Sequence, residues 1–331
     1  MDSYKKLEIE YAKHLKVEKC IAVNTGTAAL HVALEALCLP ENSKVIIPDF
    51  TMYASGLAAY YARLVPVFVD CDDNMLIDLD EVERLLTVDK NIKVLMVTHI
   101  YGRTVDMGRV MSIAKRHNIR VIEDACEAQG ATWDGRPIGS FDIGCFSLYR
   151  NKIIHAEEGG VVASNDKEFM KIVEDMKSMS FGDTHNYFHE KIGFNYRMTN
   201  SQASMALDSL QESKNNIHHR EKIKKLYNKL IDKKYQMPDN RKVVWVYDIK
   251  HPNSDLVVQE LKSIGISARH SFKPMSSQPL FKQFSKKVGP ISKKCSENVF
   301  YLHIDITKET NKIIKECENI LEILKKHEGV L

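Results

Sequence analysis

One lysine in this sequence lies where it could do covalent chemistry. Lys152 ends the run GCFSLYRNK (144–152) and precedes a second apolar run, EGGVV (158–162). Burying an ammonium group is costly unless its pKa falls or the group is used chemically. A lysine that can lose its proton attacks an aldehyde to form a Schiff base, as in pyridoxal 5'-phosphate (PLP) enzymes. A surface charge explains most of the 47 Lys and Arg residues, so the hypothesis depends on the surrounding segments.

A second segment has the features of an anion site. In NTGTAAL (24–30) the end of a strand turns into a helix, whose free N–H groups and dipole favour an anion. Gly26 permits close approach, and the hydroxyls of Thr25 and Thr27 add donors. An ordinary helix N-cap also explains these residues when they are taken alone. No GxxxxGK(S/T) or GxGxxG motif competes for the phosphate.

Two further segments complete the candidate site. VIEDACEAQG (121–130) puts Asp124 at the carboxyl end of an apolar strand, where α/β proteins bind ligands. A carboxylate there can pair with the protonated pyridine nitrogen of PLP, although a helix N-cap explains Asp124 equally well. The hydroxyl of Ser147 could also reach a phosphate. IGFNYRMTN (192–200) is a polar and aromatic loop, for which a plain connection is the simplest explanation.

The elements that position these residues form an α/β pattern. Near-continuous apolar runs alternate with helical patterns, which is typical of a mostly parallel sheet buried on both faces. The predicted strands are 20–23, 44–47, 66–69, 93–98, 120–123, 143–147 and 160–164. The predicted helices of this region are 27–37, 54–63, 80–86, 107–117 and 167–178.

The pattern changes towards the C-terminus. A long helical pattern at 201–230 is followed by a strand-like run at 243–249 and by helical patterns at 255–264 and 309–326. These predict a smaller α+β domain packed on the first. The expected boundaries are 1–215 for the large domain and 216–331 for the small one.

Composition excludes several other classes. The 47 basic and 44 acidic residues nearly balance, and no basic stripe interleaved with aromatics predicts nucleic-acid binding. No signal peptide and no apolar run of the ~20 residues that span a membrane is found. Seven scattered cysteines predict reduced thiols in a cytoplasmic protein, and no metal site is expected.

The segments together resemble one family. NTGTAAL, PDFTMYAS, HIYGRTVDM, VIEDACEAQGA, IGSFDIGCFSLYRNK, EGGVVASND and GFNYRMTNSQAS have the order and spacing of the DegT/StrS-type sugar aminotransferases. These are PLP enzymes of fold type I, the aspartate aminotransferase fold. The resemblance is dense over residues 10–215 and looser beyond. It implies a large domain with a mostly parallel sheet and a smaller α+β domain.

The resemblance also implies roles for single residues. Lys152 matches the lysine that forms the Schiff base with PLP and moves the proton, and Asp124 matches the partner of the pyridine nitrogen. Asn195 matches an asparagine that reaches the phosphate of the neighbouring subunit, which implies a homodimer with shared active sites. The phosphate-binding positions match Gly26, Thr27 and Ser147.

Some positions depart from the family pattern. Met52 stands where an aromatic residue usually stacks on the pyridine ring, and Tyr53 follows it, so either is a candidate for that contact. Glu157 replaces a common glycine and adds negative charge near the lysine. His155 is also unusual, and we interpret it as a packing or substrate residue rather than a metal ligand.

The substrate side resembles a subgroup, the GDP-perosamine synthase-like 4-aminotransferases. Three features carry this likeness: ARHSFKPM (268–275), YFH (187–189) and Glu127 in EDACEA, which is also expected beside the cofactor. The candidate substrate residues are His189, Arg269, Phe272 and Lys273.

The expected reaction is a ping-pong transfer from L-glutamate to a nucleotide-linked 4-keto-6-deoxy sugar, with pyridoxamine 5'-phosphate formed between the halves. Alternatives are a 3-keto or free keto-sugar as acceptor, a sugar dehydratase of the same fold, and a non-catalytic regulator. The lysine position is typically histidine in the dehydratases, so Lys152 argues against that class.

Overall fold

The structure is a computed structural model that describes residues 2–181, 187–285 and 287–329. The helices are α1 (Ser3–Leu15), α2 (Gly26–Ala36), α3 (Tyr53–Tyr61), α4 (Leu79–Val88), α5 (Met107–His117), α6 (Lys167–Lys177), α7 (Asn200–Gln211), α8 (Ser213–Leu230), α9 (Ser254–Ser263), α10 (Pro290–Asn298) and α11 (Thr310–Lys326). Among these described helices, none is both long enough and apolar enough to cross a lipid bilayer.

The strands are β1 (Lys19–Val23), β2 (Lys44–Pro48), β3 (Val65–Val69), β4 (Ile92–Thr98), β5 (Arg120–Asp124), β6 (Thr132–Trp133), β7 (Arg136–Pro137), β8 (Ile143–Ser147), β9 (Gly160–Ser164), β10 (Val246–Lys250), β11 (Ala268–His270) and β12 (Val299–His303). The large sheet has the order β1-β9-β8-β5-β4-β2-β3. Strand β9 is antiparallel to β1 and β8, whereas the other neighbours are parallel. The mostly parallel sheet of the prediction is confirmed.

Alternate residues of this sheet enter two hydrophobic clusters, one on each face. In β4, Leu95 and Val97 belong to one cluster, while Val94 and Met96 belong to the other. Helix α2 contacts β8 and β9 on the second face, and α1 packs against β1 and α7 on the first. Burial on both faces explains why the strands read as continuous apolar runs.

The C-terminal region forms an antiparallel sheet with the order β10-β12-β11. Helices α8, α9 and α11 contribute to its own hydrophobic cluster. The helical pattern at 201–230 is divided at Glu212, where Ser213 Oγ donates to the Leu210 carbonyl oxygen at 2.7 Å. This break lets α7 pack on α1 while α8 packs on α11.

A buried ion triad joins the two regions. Arg103, after β4, donates to Asp248 Oδ2 of β10 at 2.8 Å, and Arg241 donates to Asp248 Oδ1 at 2.7 Å. The Arg103 and Asp248 side chains are fully buried. Separating the partners would leave a buried charge without its counter-ion, which is costly. The triad therefore holds the small sheet against the large one.

Candidate active site

The carboxyl ends of three parallel strands open into one cavity of about 670 Å³. Thr98, Asp124 and Ser147 are the last residues of β4, β5 and β8, and all three line it. The opposite wall comes from the C-terminal region and is formed by Trp245, Tyr301 and the segment around residue 270. Nine of the predicted site residues line this cavity: Gly26, Thr27, Met52, Asp124, Glu127, Ser147, Lys152, Arg269 and Phe272.

The loop that carries Lys152 is held by a buried amide. Gln129 Oε1 accepts a hydrogen bond from the N–H of Ile154 at 2.9 Å. Its Nε2 donates to the carbonyl oxygens of Ser147 at 3.1 Å and Ile154 at 3.0 Å. The loop is closed further because the Ala156 N–H donates to the Leu148 carbonyl oxygen at 2.7 Å. The position of Lys152 therefore depends on both ends of its loop.

The Lys152 ammonium lies between a carboxylate and an aromatic face. Its Nζ is 3.9 Å from Glu127 Oε1 and 3.8 Å from the centroid of the Trp245 ring, and its side chain is 11% exposed. A cation so near an indole face gains a favourable electrostatic interaction. Burial raises the pKa of Glu127 to about 7, although Lys152 and the Tyr101 N–H act in the opposite direction. The Glu127 carboxyl therefore titrates near neutral pH beside the lysine.

Asp124 is positioned by a chain of hydroxyl groups. Ser55 Oγ donates to Asp124 Oδ2 at 2.9 Å, and the Cys126 N–H donates to Oδ1 at 3.3 Å. Behind Ser55, Thr51 Oγ1 lies 3.2 Å from Ser55 Oγ and 3.0 Å from Thr98 Oγ1. Asp124 itself is buried. The carboxylate is thus fixed in one orientation at the edge of the sheet.

The N-terminus of α2 forms a close cradle. Thr25 is the N-cap, and its Oγ1 accepts from the Ala28 N–H at 3.0 Å, which leaves the first helical N–H groups for an anion. A Cβ on Gly26 would lie 2.6 Å from Ser147 Cβ, and one on Gly160 would lie 2.3 Å from the Thr25 carbonyl oxygen. Only glycine fits at either position.

This arrangement fits PLP. The cradle suits a phosphate, the buried Asp124 carboxylate suits a protonated ring nitrogen, and Lys152 brings an amine to the same cavity. Within the described residues, no cluster of three or more His, Cys, Asp or Glu side chains is arranged to hold a metal ion.

Other predicted residues lie outside the cavity. The Tyr53 ring packs on Phe281, with centroids 5.5 Å apart, whereas Met52 lines the cavity and is 51% exposed. Of the two candidates for ring contact, the structure therefore brings only Met52 to the cavity. Lys273 is exposed and does not line it.

The segment before α7 also lies away from this cavity. Asn195 is exposed and pairs with Ser178 in an isolated bridge, and His189 Nδ1 lies 2.8 Å from the Met179 carbonyl oxygen. Both residues face the protein surface, so neither contributes to the cavity within one chain. Their predicted roles stay predictions.

Several site residues were not predicted from the sequence. Trp245 forms one wall, and its Nε1 donates to the Asn151 carbonyl oxygen at 2.9 Å. Its rarity, as one of two tryptophans, was the available signal. Gln129 and Ser55 lie inside recognised motifs, but their contacts join residues that are distant in sequence.

Comparison with known proteins identifies the family. The model of the DegT/DnrJ/EryC1/StrS aminotransferase family matches residues 2–320. The chain belongs to this family. It is a PLP-dependent sugar aminotransferase by class, and the predicted fold is confirmed.

Individual relatives carry different names. The chain is 31% identical to the GDP-perosamine synthase of Caulobacter vibrioides, over 95% of this chain and 89% of that protein. It is 36% identical to the UDP-N-acetyl-3-dehydro-alpha-D-glucosamine 3-aminotransferase of Acidithiobacillus ferrooxidans, over 60% of this chain and 53% of that protein. The structure of PseC from Helicobacter pylori, an aminotransferase of pseudoaminic acid biosynthesis, superposes with a TM-score of 0.92 at 20% identity, covering 98% of this chain and 92% of that one.

Proposed function

We propose that this aminotransferase moves the amino group of L-glutamate to a nucleotide-linked 4-keto-6-deoxy sugar in a ping-pong reaction. The observation that carries the proposal is the position of Lys152, whose amine enters a cavity bounded by a buried carboxylate and an anion cradle. The product would be an amino sugar of the perosamine or viosamine type.

The proposed cofactor contacts follow from the site. The N-terminus of α2, with Gly26 and Thr27, and the Ser147 hydroxyl would hold the phosphate, and Asp124 would hold the ring nitrogen. When bound, PLP supplies an electron sink for the carbanion that both halves require. The hydroxyl chain through Ser55 keeps Asp124 oriented without a rearrangement during the reaction.

Lys152 is the proposed proton carrier. Its Nζ would remove the proton from Cα of the amino donor and, in the second half, deliver one to the sugar carbon. Glu127 lies 3.9 Å away, and its pKa of about 7 allows it to share in the charge balance as the lysine changes protonation state. The Trp245 face limits the access of water to the same amine.

The choice of sugar rests on similarity to named relatives. The full-length similarity to a GDP-perosamine synthase supports a 4-keto sugar, with Arg269 and Phe272 beside the acceptor. A 3-keto sugar is the second candidate, because the Acidithiobacillus relative that is named for 3-amination is more identical over its shorter match.

A homodimer would complete the site. The exposed Asn195 would reach the phosphate of the cofactor in the neighbouring subunit, as the family resemblance implies. The exposed His189 and Lys273 would contact the nucleotide sugar, His189 near the junction of the two subunits. The seven free cysteines agree with a reducing compartment such as the cytoplasm.

The test is a reaction panel. The purified protein should bind PLP and become yellow, lose that absorbance with L-glutamate, and aminate a nucleotide 4-keto sugar detected by mass spectrometry. Lys152→Ala should abolish turnover, whereas Lys167→Ala, at an exposed position of α6, should not. Reaction with 3-keto or free sugars alone would overturn the acceptor, and turnover by Lys152→Ala would overturn the site.

A further inference from the structure

A second recess, of about 340 Å³, borders the Lys152 segment on the side of the small domain. It shares five lining residues with the main cavity, so the two spaces meet at the lysine: Tyr149, Asn151, Lys152, Trp245 and Arg269. Its other polar lining comes from the loop after β8, from helix α8, and from the end of β12 with the segment that follows it. Nothing in the transfer described above uses this recess.

The lining of the recess is strongly cationic. Among the described lining residues, three arginines and Lys152 face a single carboxylate, that of Asp305. Burial lowers the pKa of His155 and of His303, so these two imidazoles are mainly neutral at neutral pH and the positive charge comes from the arginines and the lysine. The basic lining residues other than Lys152 are Arg150, His155, Arg220, Arg269 and His303. An electropositive, partly enclosed space of this kind favours an anionic ligand.

Arg220 is the most informative of these residues. It is 8% exposed, and its only hydrogen-bond acceptor within the described residues is the Trp245 carbonyl oxygen, 2.7 Å from Nη1. Its Nε is buried and has no hydrogen-bond partner among the residues that the structure describes. Burial lowers the pKa of Arg220 to about 10, against the attraction of Asp305. A buried guanidinium without a bound carboxylate is costly, and a carboxylate ligand would remove much of that cost.

A second polar group in the recess is also unsatisfied. The side-chain oxygen of Asn151, one residue before Lys152, is buried and has no hydrogen-bond partner in the described parts of the chain. Buried polar atoms are normally hydrogen-bonded, so this unpaired acceptor indicates a position for a hydrogen-bond donor, such as an ordered water molecule or the amino group of a ligand.

We propose that this recess binds the distal carboxylate of the dicarboxylic amino donor, with Arg220 as its main partner. The donor's Cα would then lie at Lys152 Nζ, where the two spaces meet. The inference rests on the proposed transamination and assigns its acidic substrate to a separate subsite. The recess has about half the volume of the main cavity. This is enough room for a short dicarboxylate, but not for a sugar joined through a diphosphate to a nucleoside.

The division would let one lysine serve two unlike substrates. The sugar would occupy the main cavity beside Phe272 and Tyr301, while the acidic arm of the donor would occupy the recess. Arg269 borders both spaces and would contact each substrate in turn. His155, which departs from the family pattern, lines the recess, so the inference also gives that position a role.

Binding of glutarate tests the inference directly, because this dicarboxylate has no amino group and cannot react. Calorimetric titration of the purified protein, with and without added PLP, should show binding that Arg220→Gln weakens about tenfold or more. Lys225→Gln, on the exposed face of the same helix, is the matched control and should bind as the wild type does.

A second pair of variants guards against misfolding, since Arg220 also holds the Trp245 carbonyl group. Arg150→Gln and His155→Gln alter less buried positions. Arg150→Gln removes a positive charge and should weaken glutarate binding about two- to fivefold. His155→Gln removes no charge at neutral pH, because burial lowers the pKa of His155, and should bind glutarate within about twofold of the wild type. Unchanged affinity for glutarate in both Arg220→Gln and Arg150→Gln would overturn the subsite. The subsite would also be overturned if these variants bound a nucleoside diphosphate more weakly but bound glutarate as the wild type does.

Half-reactions separate this inference from the proposed function. In PLP-loaded Arg220→Gln, the rate with L-glutamate should fall about tenfold or more, while the return reaction with the keto-sugar should stay within about twofold. A loss confined to the sugar half would overturn the subsite alone. If the wild type reacts with neither substrate, the proposed function fails, and the glutarate titration still decides whether the recess is a dicarboxylate site.

Discussion

The residues proposed to bind the cofactor and those proposed to bind the sugar lie in different surroundings. At the proposed cofactor site, Asp124, Glu127 and Gln129 are buried and hydrogen-bonded to other residues of the same chain. Two residues proposed to contact the sugar, His189 and Lys273, are exposed and lie outside the cavity. Groups that are held by hydrogen bonds within one chain already have the orientation that the reaction requires. Exposed groups acquire a function only with a substrate or a second subunit, so the comparison separates shared chemistry from substrate choice.

The strongest test of the cofactor side is Asp124→Asn. The amide cannot stabilise a protonated ring nitrogen as a carboxylate does, so we expect kcat to fall about 100-fold or more. Steady-state kinetics and the absorbance of bound PLP measure the effect. Ser55→Ala, which removes only the hydroxyl behind the carboxylate, should cost about tenfold or less. An Asp124→Asn enzyme within tenfold of the wild type would contradict the role of Asp124.

Gln129→Leu should destabilise the loop that carries the lysine. The change leaves the Ile154 N–H and the carbonyl groups of Ser147 and Ile154 without their buried partner. We expect a loss of about 3 kcal/mol in the free energy of unfolding, measured by urea denaturation, together with weaker PLP binding. Gln283→Leu, at an exposed side chain that bonds only within its own turn, is the control. Equal stability of the two variants would show that the hydrogen bonds of Gln129 do not stabilise the loop.

Glu127 gives the cofactor side a pH dependence. Its pKa rises from 4.5 to about 7 on folding, because burial disfavours the charged carboxylate. The folded protein therefore holds a proton that the unfolded chain has lost, and this group's contribution falls as the pH rises from about 4.5 to about 7. Glu127→Gln cannot titrate and keeps an acceptor for the Tyr101 N–H. Without PLP, the free energy of unfolding of the variant should rise relative to that of the wild type by about 2–3 kcal/mol as the pH increases from 5 to 8.

Urea denaturation at several pH values measures that gain. The matched control is Glu157→Gln, which changes an exposed carboxylate in the loop between β8 and β9 and should keep the pH profile of the wild type. Stability curves of wild type and Glu127→Gln that stay parallel from pH 5 to pH 8 would contradict a raised pKa for Glu127.

The same contrast explains how far the sequence could be read. The ranges predicted for β8 and β9 match the observed strands, because both are buried apolar runs whose pattern is local. Helix α1 was not predicted: its buried face is a narrow stripe of Leu7, Tyr11 and Leu15 among charged residues. The recess was also not predicted. Arg220 and Trp245 meet across 25 residues, and no local pattern marks such a contact.

The smallest expected effect concerns the exposed sugar side. Lys273→Ala removes a cation that lies outside the cavity in the single chain, so we expect the KM for the nucleotide sugar to rise about three- to tenfold. The half-reaction with L-glutamate should stay within about twofold, because Lys273 borders neither the main cavity nor the recess. Stopped-flow absorbance and steady-state kinetics give the two values. A rise in KM that disappears at high salt would identify Lys273 as a contact of the phosphates, since exposed charges are screened. A slower glutamate half-reaction would contradict the separation of the two sides, because an exposed residue would then act on the chemistry that both substrates share.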